Sequence, residues 1–171
     1  MEKIAFISGA NRGIGLETAK RLGETGVNVI IGSRDLDKGI KAADSLIAKG
    51  IKAEAIQVFT SNPRGWAMPE PNKEADRAFV EKAAALDIET YVHAPFLINL
   101  GSPTEGTYKN SLASIAYSLR RGRDVNALGV VIHTGSAVDE GHVKQAWKQI
   151  HDGMMPILEA LSDDSPSLLL E

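Results

Sequence analysis

The chain has 171 residues, no cysteine, 43% hydrophobic residues and a formal net charge of −3. This length fits one globular domain, the composition argues against disorder, and the absence of cysteine excludes disulfides and thiolate metal sites. No apolar run of the sequence is long enough for a membrane span, so we expect a cytoplasmic protein without a membrane partner.

The charge is distributed unevenly along the chain. Residues 1–57 contain nine Lys and Arg against seven Asp and Glu, a net charge of +2, so residues 58–171 have a net charge of −5. Because affinity for nucleic acid depends largely on Lys and Arg, the acidic second part makes nucleic acid an unexpected partner.

Six apolar runs of strand length follow one another along the chain, at residues 4–7, 27–31, 53–59, 90–93, 128–133 and 168–170. Between these runs, apolar residues recur at intervals of three and four, as Phe79 and Ala83 do, which places them on one face of a helix. Strict alternation of strand and helix predicts the α/β class, with a six-stranded, mostly parallel sheet and right-handed helical crossovers.

The order of the strands is open at this stage. A Rossmann-like, doubly wound sheet in the order 3-2-1-4-5-6 is preferred, because the connection between Phe59 and Thr90 is long enough to cross back over the sheet. The alternative is a progressive order, 1-2-3-4-5-6, which would form an open partial TIM barrel. Such a barrel would expose an apolar inner face and two sheet edges, so it predicts a homodimer or aggregation.

A glycine-rich turn follows the first predicted strand and opens the first helix, with the sequence Ser8-Gly9-Ala10-Asn11-Arg12-Gly13-Ile14-Gly15. In this context glycines allow backbone N–H groups to approach a pyrophosphate at the positive end of a helix. The turn and the residues through Gln57 resemble the opening quarter of the short-chain dehydrogenase/reductase family.

This resemblance implies NADP(H) as a partner. Residues implied to bind the cofactor are Gly9, Asn11, Arg12, Gly13, Ile14, Gly15, Ser33 and Arg34. The two arginines favour NADP over NAD, because that family uses basic residues here to accept the 2′-phosphate. The alternative is that the glycines serve only a tight turn and close packing. The family's catalytic Ser and Tyr-x-x-x-Lys set is missing from the sequence.

A second resemblance begins at Val58. Three ordered segments, at residues 58–66, 93–100 and 133–136, resemble endonuclease IV, a zinc-dependent apurinic-site nuclease built on a TIM barrel. The resemblance covers residues 58–171, roughly the second to fifth strands of that barrel. The seam between the two parts is placed within residues 55–58.

The second resemblance implies zinc ligands at His93, His133 and Glu171. Two histidines and one glutamate form a known zinc ligand set that leaves a position open for water. The alternatives are that both histidines are ordinary strand-end residues, and that the final Leu-Glu is a cloning scar.

Neither catalytic set is complete, which determines the functional hypotheses. The leading hypothesis is an engineered fold chimera, one domain made of residues 1–57 and 58–171, without native catalytic activity. One alternative is a vestigial NADP(H)-binding module. The other is a zinc-binding remnant with weak phosphodiesterase activity.

Overall fold

A computed structural model describes residues 3–171, in which six parallel strands alternate with five α-helices. The strands are β1 (Ile4–Ile7), β2 (Asn28–Ser33), β3 (Ala53–Val58), β4 (Glu89–His93), β5 (Gly129–Ile132) and β6 (Ser167–Leu170). The helices are α1 (Gly13–Glu24), α2 (Leu36–Ile47), α3 (Lys73–Ala85), α4 (Glu105–Asp124) and α5 (Val143–Glu159), with one 3₁₀ turn at Glu140–His142. All six strands predicted from the apolar runs are therefore confirmed, to within one or two residues at their ends.

The strand order is β1-β2-β3-β4-β5-β6, and every neighbouring pair is parallel. The preferred doubly wound order was wrong, and the alternative, an open partial barrel, is the observed arrangement. The decisive pairing is that of β3 with β4, in which Ile56 lies opposite Thr90. A doubly wound sheet would instead have placed β4 beside β1.

Packing of α3 explains why the long connection after β3 does not cross the sheet. This helix lies beside α2, where the Lys82 ammonium is 2.7 Å from the Asp44 carboxylate. The preceding loop is held near α4, because the Tyr117 hydroxyl donates to the carbonyl oxygens of Thr60 (3.3 Å) and Pro69 (2.9 Å). The extra length therefore forms a structured loop at the end of β3, and β4 continues the sheet on the same side.

The core lies between the sheet and the helices, as right-handed crossovers in a progressive sheet require. Every second residue of the central strands points toward the helices, and Ile56, Val58, Val92 and Val130 are fully buried there. Local sequence begins two of the helices. The side chains of Asp35 and Asn72 accept hydrogen bonds from the first-turn amides of α2 and α3.

The opposite face of the sheet and its two edge strands are more exposed. Phe6 on β1 is 51% exposed, and Leu169 and Leu170 on β6 are also exposed. The predicted self-association of such a surface remains a prediction, which sedimentation velocity of the purified chain would test. Within residues 3–171, no helix has the length and apolar character needed to cross a membrane.

Candidate metal site and basic cleft

The progressive parallel order brings the carboxyl ends of all six strands to one edge of the sheet, where ligands collect in α/β proteins. The glycine turn follows β1, Arg34 follows β2, His93 ends β4, His133 follows β5 and Glu171 follows β6. The sequence-predicted residues thus share one edge but form two groups. One group lies over β1 to β3 and the other over β4 to β6.

Three potential metal ligands converge over β4 to β6. The Nε2 atom of His93 is 3.0 Å from Glu171 Oε2, and the Nε2 atom of His133 is 3.4 Å from the same oxygen. One donor atom from each of the three residues lies within 4.8 Å of the others. No other cluster of three metal-ligating side chains of this kind occurs in residues 3–171.

Strand register places two of these ligands side by side. Ile132 pairs with Leu170, and the Glu171 amide continues the ladder by donating to the Ile132 carbonyl at 2.9 Å. The next residue on β5 is His133, which therefore lies beside Glu171. His93 ends the neighbouring strand β4 and completes the group.

The orientation of the His93 ring fits a metal. Its Nδ1 atom is 2.6 Å from the Ala94 carbonyl oxygen, which can only accept a hydrogen bond, so Nδ1 carries the proton. In a neutral ring, Nε2 then presents a lone pair toward the Glu171 carboxylate, and a cation between the two would satisfy both. Tetrahedral zinc with bonds of about 2.0 Å holds neighbouring ligand atoms about 3.3 Å apart. The observed separations from Glu171 match that value.

Aromatic rings enclose the buried histidine. The Phe59 and Phe96 ring centroids are each 5.1 Å from that of His93, and Phe96 is 5.7 Å from the ring of His133. His93 is 5% exposed. These rings restrict water around His93, whereas the Glu171 carboxylate is exposed to solvent. Sequence reasoning assigned no role to either phenylalanine, although Phe59 directly follows a buried strand.

A single asparagine ties together the loops that carry the two histidines. Asn99 Oδ1 accepts hydrogen bonds from the amides of Gly101 (3.0 Å) and Ser136 (2.9 Å). At Gly135, φ is +85° and a Cβ would lie 2.1 Å from Asn99 Oδ1, so only glycine fits this approach. The asparagine thus fixes the loop after β4 against the loop after β5. Sequence analysis missed this role because it depends on contacts 36 or 37 residues apart.

The glycine turn over β1 has the backbone course that the sequence predicts. Gly9 and Gly13 have φ values of +69° and +57°, and a Cβ at Gly15 would lie 2.6 Å from the Gly9 carbonyl oxygen. These three glycines are therefore required by the turn itself. Ile14 beside them is 88% exposed. Cofactor binding by the turn remains a prediction.

A basic cleft of about 540 Å³ lies between this turn and the ends of β2 and β3. Arg12, Arg34 and Lys38 line it on one side. The Lys38 ammonium is 3.0 Å from the Asp35 carboxylate, but across residues 3–171 the guanidinium groups of Arg12 and Arg34 have no ion-pair or hydrogen-bond partner. The cleft thus contains two unpaired cations.

Not every predicted cofactor residue lines this cleft. Asn11, Arg12 and Arg34 do, whereas the buried Ser33 directs its hydroxyl to the Asp35 carbonyl oxygen at 2.7 Å. Asp35 also faces the cleft. The Lys38 backbone amide and then the Lys38 ammonium hold the pKa of the Asp35 carboxyl below its ordinary value, so the group is a carboxylate at neutral pH.

Two protein families match different parts of the chain. Residues 45–171 match the xylose isomerase-like TIM barrel family, which is 127 of the 171 residues. Residues 3–66 match the short chain dehydrogenase family. The two matches overlap over residues 45–66, a range that includes the predicted seam. The two-part composition predicted from the motifs is therefore confirmed.

Individual relatives match the larger part. The probable endonuclease 4 of Streptomyces coelicolor is 50% identical over 134 residues, covering 78% of this chain and 46% of that protein. The corresponding protein of Streptomyces avermitilis is 48% identical over 134 residues, which cover 78% of this chain and 43% of that protein. The chain spans about half the length of the curated relatives it matches.

Two solved structures are also similar to most of this chain. Endonuclease IV from Thermus thermophilus is 28% identical with a TM-score of 0.52, covering 84% of this chain and 49% of that one. A D-tagatose 3-epimerase-like protein is 19% identical with a TM-score of 0.57, covering 76% and 48%, a likeness of fold alone.

Proposed function

The chain belongs to the xylose isomerase-like TIM barrel family, and from this premise we propose that it binds one zinc ion through His93, His133 and Glu171 and hydrolyses phosphodiesters weakly there. The observation that carries the proposal is the convergence of three donor atoms, one from each of three adjacent strand ends, within 4.8 Å. The relatives named probable endonuclease 4 support phosphodiester bonds as the substrate class.

Each residue of the site has a distinct role in this proposal. His93 is held by its hydrogen bond to the Ala94 carbonyl, so its Nε2 is oriented before metal arrives. Glu171 supplies the negative charge that a dication requires. Phe59 and Phe96 pack beside the His93 ring, which is buried. Zinc supplies Lewis-acid chemistry at a phosphoryl oxygen.

The reaction proposed at this site is a hydrolysis without electron transfer. Water adds to phosphorus, the bond from phosphorus to one ester oxygen breaks, and that oxygen leaves with a proton derived from the water. The products are a phosphomonoester and an alcohol. We expect weak activity because His93, His133 and Glu171 would have to hold the zinc ion without further protein ligands.

Isothermal titration of metal-free protein with zinc chloride tests the binding step. We expect one zinc ion per chain, and at least a tenfold loss of affinity in His93→Ala, because a ligand is removed. His151→Ala is the matched control, since His151 is exposed on α5, outside the cluster. Equal affinities in the two variants would overturn the site.

Turnover is measured separately with bis(4-nitrophenyl) phosphate and zinc. Release of nitrophenol that disappears in His93→Ala but persists in His151→Ala supports the hydrolysis. Zinc binding without turnover would leave a metal-binding chimera that has no catalytic activity, and the phosphodiesterase proposal would be withdrawn.

NADP(H) binding is a second candidate function. The unpaired guanidinium groups of Arg12 and Arg34 beside the glycine turn favour it, because a 2′-phosphate is a suitable partner for arginine. We expect saturable NADPH binding that is stronger than NADH binding and is weakened at least tenfold by Arg34→Asp. Unchanged NADPH affinity in that variant would contradict the candidate.

A further inference from the structure

One aromatic ring separates the basic cleft from the metal ligands. Phe59, which directly follows β3, lines the cleft, and its ring centroid is 5.1 Å from that of His93. The cleft and the three ligands therefore adjoin along the same edge of the sheet. Phe59 lies within residues 45–66, where the two family matches overlap.

Backbone contacts make the surface around Phe59 continuous. Pro63 lines the cleft, and its carbonyl oxygen accepts a hydrogen bond from the Phe96 amide at 2.9 Å. The Phe96 ring in turn contacts both histidine rings. The loop after β3 is thus joined to the loop after β4, which carries Phe96 beside the ligands.

The chemistry of the cleft indicates a phosphate group. The guanidinium groups of Arg12 and Arg34 are unpaired within residues 3–171, and arginine binds phosphate oxygens through paired hydrogen bonds. A volume of about 540 Å³ lies within the usual range for small-molecule sites. A nucleotide fits this volume, and its base can stack on the accessible part of the half-buried Phe59 ring.

We propose that the cleft and the His93, His133 and Glu171 cluster form one elongated site for a dinucleotide phosphodiester with a terminal phosphomonoester. The phosphomonoester binds Arg12 and Arg34, a base stacks on Phe59, and the bridging phosphodiester lies at the metal ligands. This assignment rests on the proposed function and specifies its substrate class. The substrate is small, consistent with the acidic character of residues 58–171.

Binding of two matched probes tests the shared site without depending on turnover. The probes are dithymidine phosphodiester with and without a 5′-phosphate, titrated into zinc-loaded protein. We expect the 5′-phosphate to strengthen binding about tenfold or more, because it adds charged hydrogen bonds to the two arginines. Zinc should strengthen the binding of both probes.

The Arg34→Ala variant should lose the tenfold gain while its affinity for the unphosphorylated probe stays unchanged. Arg77→Ala is the matched control, because Arg77 is an exposed arginine on α3 that does not line the cleft. The proposal would be overturned if Arg34→Ala weakened the binding of both probes equally. It would also be overturned if the variant kept the full gain in affinity from the 5′-phosphate.

Two further comparisons distinguish failure of the proposed function from failure of the shared site. If the unmodified chain does not bind zinc, the proposed function fails and the shared site fails with it. If zinc binds but the 5′-phosphate has no effect, only the shared site is overturned. NADPH is titrated as a third ligand. If it binds more tightly than the phosphorylated probe, without zinc, and if Arg34→Ala abolishes this binding, the cleft is a cofactor site and the proposal is likewise overturned.

Discussion

The metal-ligand candidate His93 is held in place by its surroundings, whereas the two arginines of the basic cleft are not. His93 is buried, and its Nδ1 atom donates a hydrogen bond to the Ala94 carbonyl oxygen. Arg12 and Arg34 are exposed and unpaired within residues 3–171. Ordering a flexible side chain on binding costs about 0.5–1.5 kcal/mol. A ligand in the basic cleft must offset the free energy of ordering these side chains. A metal ion instead meets one donor, His93 Nε2, whose ring is already oriented.

One buried ion pair joins α3 to α4. Arg121 on α4 donates to both oxygens of Asp76 on α3, at 2.7 and 2.9 Å, and also to Asp124. Burial acts to lower the pKa of Arg121, but the hydrogen bonds to Asp76 and Asp124 outweigh it and raise that pKa. The guanidinium is therefore charged, and it needs its partners.

Replacing Asp76 should destabilise the fold as a whole and should give the largest effect. We expect Asp76→Ala to lower the free energy of unfolding by about 3–5 kcal/mol, because it leaves a buried charge without its main partner. Urea unfolding would measure this. Asp124→Ala is the control, with a smaller expected loss, since that carboxylate is more exposed. If Asp76→Ala lowered the free energy of unfolding no more than Asp124→Ala does, this account would be contradicted.

Gly15→Ala should separate the two regions. The new Cβ would lie 2.6 Å from the Gly9 carbonyl oxygen, so the glycine turn must shift. We expect a loss of about 1–3 kcal/mol in stability and weaker binding of the phosphorylated dinucleotide, with zinc affinity unchanged. Urea unfolding and calorimetric titration would measure these changes.

Gly106→Ala is the matched control for that variant, because a Cβ there meets nothing within 4 Å. It should be neutral or slightly stabilising within α4. A parallel loss of zinc affinity in Gly15→Ala would show that the two regions are not independent.

Asn99→Ala should affect the other region alone. The amides of Gly101 and Ser136 would lose their shared acceptor, and the loops carrying His93 and His133 would loosen. We expect about a tenfold loss of zinc affinity, the lower end of the range for groups that support metal ligands. Asn99→Asp keeps an acceptor oxygen and should retain most of the affinity. Equal zinc affinities in Asn99→Ala and the unmodified chain would exclude this role.

The smallest expected effect is on stability near the basic cleft. Asp35 accepts from the Lys38 amide at the start of α2, so Asp35→Ala should lower stability by about 1 kcal/mol at neutral pH. Because folding lowers the pKa of this carboxyl, its contribution is present above the ordinary value of 3.8 and is lost as pH falls through the lower folded value.

Unfolding free energies of Asp35→Ala and the unmodified chain should therefore converge below that pH. Asp37→Ala is the control and should change stability less, because its ion pair with Lys41 is exposed. Removing Asp35 also removes a negative charge from the cleft, so the phosphorylated dinucleotide should bind slightly more tightly. A difference between the chains that persists at low pH would contradict the capping role.

Local sequence determined the elements of this protein. Apolar runs of strand length and helical periodicity reflect burial against neighbouring layers, and such patterns are readable within about ten residues. The glycine turn was predictable for the same reason, since Gly9, Gly13 and Gly15 serve a local backbone course. The metal ligands were predictable as candidates only because their motifs resemble those of a known family.

Tertiary structure alone decided the strand order and the composition of the two groups. The length of the connection after β3 permits either order, and contacts of α3 with α2 and of Tyr117 with the loop selected the progressive one. The positions of Phe59, Phe96 and Asn99 around the histidines depend on contacts between separate loops. Such contacts form only after the strands align, so periodicity and spacing along the chain do not encode them.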